Sequence, residues 1–118
     1  MHDIRTKLLL SVQRALLGAV SPRLRAVTCG WEGFEITLRF VFDGELADPD
    51  LEDAGIVASE VAADFPEPWT VDEEIARLDY PADLRPGALA LWAYWRKEIV
   101  EDSGDPDSRA DVLVPPVS

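Results

Sequence analysis

The chain has 118 residues, is 47% apolar, and carries 23 acids against 11 bases for a net charge of −12. Nucleic acids and anionic membrane surfaces are bound mainly through basic side chains, so this balance argues against both as partners. The chain is the right size for one globular domain, and no apolar run approaches the roughly 18 residues of a membrane span.

Ile4 to Val20 reads as an amphipathic helix. Ile4, Leu8, Val12, Ala15 or Leu16, and Ala19 recur at three- and four-residue intervals, with Arg5, Lys7, Gln13 and Arg14 between them. Gly18 and Ser21-Pro22 end it. Leu24 to Cys29 is a short strand with Leu24, Ala26 and Thr28 on one face, and Gly30-Trp31-Glu32-Gly33 is its turn. Phe34 to Phe42 is the clearest strand: Phe34, Ile36, Leu38, Phe40 and Phe42 alternate with Glu35, Thr37 and Arg39. The pair predicts an antiparallel hairpin with one face packed on helices. A second helix starts at Asp48-Pro49-Asp50, with Asp48 as the N-cap, and runs to about Phe65 before Pro66. Its apolar stripe is Leu51, Ala54, Ala58, Val61 or Ala62, and Phe65.

Trp69 to Leu78 is the third strand, Tyr80 to Gly87 a loop, and Ala88 to Ile99 the fourth strand, for which a buried helix is the alternative. From Glu101 the composition turns acidic and proline-containing. A single domain over 1–100 followed by a disordered tail at 101–118 is expected. The α-β-β-α-β-β order predicts an α+β two-layer sandwich: a four-stranded antiparallel sheet with two helices on one face, a circular permutation of the ferredoxin-like plan.

The catalytic inventory is nearly empty. The sole histidine is His2, near the terminus, and Cys29 has no histidine nearby, so it reads as a core cysteine. One cysteine cannot close an internal disulfide, and residues 1–20 carry no signal-peptide pattern, so a cytoplasmic setting is expected. The acids from Asp43 to Asp50 lack the alternating oxygen ligands of a calcium loop. No cofactor or metal motif is present, and the Glu60/Asp64 pair, one helical turn apart, is what chance supplies in so acidic a chain. A non-catalytic role is the expectation.

The surface says more. Residues 1–40 hold six bases and three acids, whereas 41–118 hold five bases and twenty acids. Asp50, Asp53, Val57, Glu60 and Asp64 recur at helical spacing, as one acidic face opposite the apolar stripe, and Glu45 and Asp48 extend it. Such a face suits a basic protein partner or is ordinary solvated surface. Trp92 and Tyr94 are expected on the open sheet face with Arg39, an amphipathic platform suited to a partner or a homodimer. Nine arginines to two lysines and no asparagine point to a GC-rich bacterial coding background.

The segments Ala15–Val27, Phe42–Glu45, Ser59–Pro66, Arg77–Pro81 and Trp95–Glu98 together resemble a family of small acidic bacterial proteins. Some members of that family are similar to immunity proteins of polymorphic or contact-dependent growth-inhibition toxins. The resemblance covers about residues 4–98. It implies tight, stoichiometric, non-catalytic binding of a cognate toxin domain, and a basic, nuclease-like toxin fits the charge argument. A homodimeric structural or regulatory module is the alternative.

Overall fold

The structure is a computed structural model that describes residues 3–98; the expected tail at 101–118 and His2 lie outside the described residues. Helix α1 (Ile4–Ala15) begins where the Asp3 carboxylate accepts the Thr6 N–H at 2.8 Å, satisfying a donor of the first turn. It stops at Ala15 rather than Val20, because the chain turns at 16–19. Leu8, Val12 and Ala15 make its buried stripe, as their spacing predicts.

Strands β1 (Leu24–Glu32) and β2 (Glu35–Phe42) pair antiparallel from Leu24↔Phe42 to Glu32↔Glu35. The turn is therefore Gly33-Phe34, shorter than the sequence pattern suggested. Gly33 takes φ +62° and Phe34 a negative φ, the sign pattern of a type II′ turn, which matches the twist of paired strands. Phe34 thereby leaves the buried face that alternation assigned to it. It is more than half exposed and meets Trp69 edge-on, with ring centroids 5.1 Å apart.

Helix α2 (Asp48–Ala63) is capped at Ala47, one residue earlier than expected, with Pro49 in the first turn where its missing N–H is harmless. Strand β3 (Thr70–Arg77) then runs parallel to β2, in register from Glu35↔Thr70 to Phe42↔Arg77. The all-antiparallel expectation is corrected here. Sixteen helical residues span about 24 Å, and eight strand residues about 26 Å. Helix α2 thus returns the chain to the end where β2 began, and β3 leaves in the same direction. Strand β4 (Leu91–Trp95) is a strand, not a helix, and pairs antiparallel with β1.

The sheet is mixed, in the order β3-β2-β1-β4. A ferredoxin-like plan uses split βαβ units, whereas β2 and β3 are direct neighbours, so the permuted ferredoxin-like description does not hold. The α+β class, the element order and the placement of both helices on one face do hold. Leu8 and Val12 of α1 and Ala54, Val57 and Val61 of α2 close over Val27, Cys29, Ile36, Leu38 and Phe40.

The other face is covered too. Strands β3 and β4 lie at opposite edges, so the connection 78–90 must pass across β2 and β1. Buried Leu84 seats against Ala26 and Val41, flanked by Trp92 and Trp95. Buried from both sides, β1 has no exposed position between Leu24 and Cys29. Its apolar residues consequently form a run and not an alternation.

Candidate functional site

Arg25 lies within that run and is only 2% exposed. A buried guanidinium is tolerated only when paired and hydrogen-bonded, and this one is both. Its Nε and Nη2 donate to the two carboxylate oxygens of Glu98 at 2.7 and 2.9 Å. Nη1 donates to the Leu78 carbonyl at 2.6 Å, Nη2 to the Ala82 carbonyl at 3.0 Å, and the guanidinium sits 5.7 Å from the Tyr80 ring centroid. Arg96 extends the network, donating to Glu98, to the Pro22 carbonyl at 2.7 Å and to Asp43 at 3.1 Å. That bond from Arg96, and a second from the Tyr80 N–H, hold the Asp43 carboxyl below its ordinary 3.8. Asp79 accepts the Gly44 N–H and pairs with Arg77, and both bonds lower its pKa as well. These bonds fix the crossing segment to β1 and to the loop after β2. Sequence reasoning missed the network; its signal was an ionisable residue inside an apolar strand.

The expected acidic stripe on α2 does not form a single outward face. Asp50 is 4% exposed and accepts the Arg23 Nε at 2.8 Å. Val57 belongs to the core. Asp64 caps the end of α2, where it accepts the Ser11 hydroxyl at 2.6 Å and pairs with Arg14. The cause is that α2 has two neighbours, the sheet and α1, so its buried arc is wider than one stripe.

The outward face is instead Glu52, Ile56, Ser59, Glu60 and Ala63, with Asp53 half-buried at its margin and Glu45 and Asp48 exposed on the approach to the helix. Alongside, β3 exposes Asp72, Glu73 and Glu74. Between the two elements runs a shallow groove lined by Glu52, Gly55, Ile56, Ser59, Glu60 and Ala63 of α2 and Glu73 of β3. Ile56 is 55% exposed there. Among the described residues, Glu52, Asp53, Glu60, Asp72 and Glu73 have no basic side chain within ion-pair distance, whereas Asp43, Asp79, Asp83 and Glu98 each have an arginine.

Trp92, Tyr94 and Arg39 do not come together on an open face. Val27 pairs with Tyr94 and Thr28 with Trp92, so Ala93 is an extra residue that breaks the alternation of β4. Trp92 and Trp95 fall on the side of the crossing segment, with ring centroids 5.2 Å apart, while Ala93 and Tyr94 pack on the helix side. Arg39 donates to Glu74 at 3.0 Å and lies under Gly87, where a Cβ would stand 3.0 Å from Nη2.

Cys29 is fully buried, and that burial pushes its thiol up to about 12, so it is protonated and inert at neutral pH. Among the described residues, no group of three or more His, Cys, Asp or Glu side chains is arranged to hold a metal ion, and no helix is long and apolar enough to cross a membrane. The clustered carboxylates without ion-pair partners form an acidic flank along α2 and β3.

No curated protein matches the chain. The model of the MafI2 immunity protein family matches residues 5–98, from the first helix to the glutamate that anchors Arg25. Spanning most of its length, that match shows that the chain belongs to the MafI2 immunity protein family.

Proposed function

We propose that this chain neutralises a toxin by binding it, without catalysis, through the acidic flank formed by α2 and β3. Membership of an immunity protein family supplies the class of partner. The distribution of uncompensated carboxylates supports the place: arginines balance the acids of the crossing segment and leave Glu52, Asp53 and Glu60 of α2 and Asp72 and Glu73 of β3 without ion-pair partners. The contact set is Glu52, Asp53, Glu60, Asp72 and Glu73, with Glu45 and Asp48 at one end. Asp50 and Asp64 serve this surface indirectly, since their bonds to Arg23, Ser11 and Arg14 hold α2 in place.

A basic, nuclease-like toxin domain fits such a surface. Like charges held on a helix and a paired strand repel one another at rest, and a cationic partner relieves that repulsion. The same field steers encounter, to on-rates of about 10⁸ M⁻¹s⁻¹ at low salt. The cytoplasm is the proposed place of meeting. A homodimer closed through the aromatic face lacks comparable support, because 78–90 lies over that face.

The test is titration of the chain with the toxin domain that co-purifies with it, at low and at raised salt. Glu52→Lys with Glu60→Lys should weaken binding about 100-fold and reduce its salt dependence, with the melting temperature unchanged. Unaltered affinity in the double variant would overturn the assignment of the surface.

A further inference from the structure

Resting on the reading that the chain binds a basic toxin, we propose that the outer edge of β3 is a strand-addition site. It takes an amphipathic strand of the toxin with lysine or arginine on one face and apolar residues on the other. The backbone directions are fixed by two bonds: the Thr70 N–H donates to the Phe34 carbonyl and the Leu78 N–H to the Phe42 carbonyl, each at 2.9 Å. Along a parallel strand, successive residues point their amide groups to opposite sides. Thr70, Asp72, Glu74 and Ala76 therefore bond to β2, while Val71, Glu73, Ile75 and Arg77 direct N–H and C=O outward. Among the described residues no strand pairs with that side.

Edge strands are ordinarily blunted by shortness, proline, a bulge or charge; β3 has only the last, and its acids repel an acidic strand and not a basic one. The opposite edge, β4, is five residues long and bulged, a poor template by the same criteria. The charges on β3 define what the edge accepts. On one face stand Asp72 and Glu74, the latter reached by Arg39. On the other stand Val71, Glu73 and Ile75, beside the groove whose lining includes exposed Ile56. An added strand would set one row of side chains against Asp72, which has no arginine and calls for a cation, and Glu74, which Arg39 already meets. Its alternate row would enter the groove under α2, where apolar side chains cover Ile56.

Charge also discriminates among occupants. A second copy of β3 would place acids beside acids, an unfavourable cross-strand arrangement. The chain's own residues 99–118 hold five acids and one base, a net charge of the same sign as the acids of that edge. Strand addition by a basic segment gains main-chain hydrogen bonds and charge pairing together.

The experiment is amide hydrogen exchange, read by NMR on the full chain, without and with a disulfide-closed hairpin peptide whose strands alternate lysine and valine. Saturating peptide should slow the amides of Val71, Glu73, Ile75 and Arg77 about tenfold or more, leaving Asp72 and Glu74 as they were. The same hairpin with glutamate in place of lysine should slow none. Glu73→Pro removes an outward N–H without breaking a bond to β2, and should weaken the peptide about tenfold with the melting temperature nearly unchanged. Absence of slowing at those four amides overturns the proposal. So does protection in the protein alone, whether by its own segment or by a dimer that light scattering would size. The two readings fail separately. If Glu52→Lys with Glu60→Lys abolishes toxin binding while the four amides stay fast in the toxin complex, the flank stands and strand addition falls. If toxin binding ignores those reversals while the four amides slow, strand addition stands and the flank reading falls.

Discussion

The crossing side of the sheet and the α2–β3 flank are both rich in carboxylates, yet those carboxylates do opposite work. On the crossing side every acid of the Asp43–Asp79–Glu98 cluster meets an arginine, and the bonds close a face that helices do not cover. On the flank Glu52, Glu60, Asp72 and Glu73 meet none, and they contribute field instead of cohesion. Composition counts both sets alike in the net charge of −12. What separates the structural acids from those proposed for recognition is where the arginines went.

The sharpest way to break this contrast is Arg25→Ala. It strips Glu98 of its bidentate partner, leaving only Arg96, and leaves the Leu78 and Ala82 carbonyls without their donor, and should cost about 3–5 kcal/mol in urea unfolding. A loss under about 1 kcal/mol would mean that water replaces the guanidinium and that the crossing side is not held by charge. Next in size is Asp50→Ala, which strips the nearly buried partner of Arg23 and should cost about 1–3 kcal/mol.

Acid should act on the two regions unequally. Asp43 has a lowered pKa when folded, so the stability it contributes is complete above its ordinary value of 3.8 and is lost as pH falls through the lower folded value. Asp43→Asn should therefore be less stable at neutral pH and show a shallower loss of unfolding midpoint on acidification below that value. An acid limb as steep as the parent's would place the responsible carboxylate elsewhere. The smallest effect belongs to the flank: Glu52→Gln and Glu60→Gln should each change stability by no more than about 0.5 kcal/mol, because neither makes an ion pair.

Local pattern made much of this legible. The alternation from Ile36 to Phe42 and the helical spacing of Leu8, Val12 and Ala15 both carry through to buried positions. Long-range relations were not legible. The direction of β3 depends on which end α2 returns to, and nothing in the residues of β3 records it. Asp50 and Asp64 look outward on a helix with one buried stripe, and turn inward only because α1 packs beside α2. Arg25 and Glu98 are far apart in the chain, so their pairing is invisible to spacing, although a charged residue amid Leu24, Ala26 and Val27 signals that some partner exists. The extra residue at Ala93 moves Tyr94 to the helix side by a shift of one position.

The most direct test reverses matched charges on the two regions and measures affinity for the co-purifying toxin domain. Glu52→Lys with Glu60→Lys samples the flank; Asp79→Lys with Asp83→Lys samples exposed acids of the crossing segment, each already paired with an arginine. An α2–β3 contact surface requires a loss of about 100-fold for the first pair and little change for the second. Equal losses from both pairs, or a loss confined to the crossing segment, would contradict it.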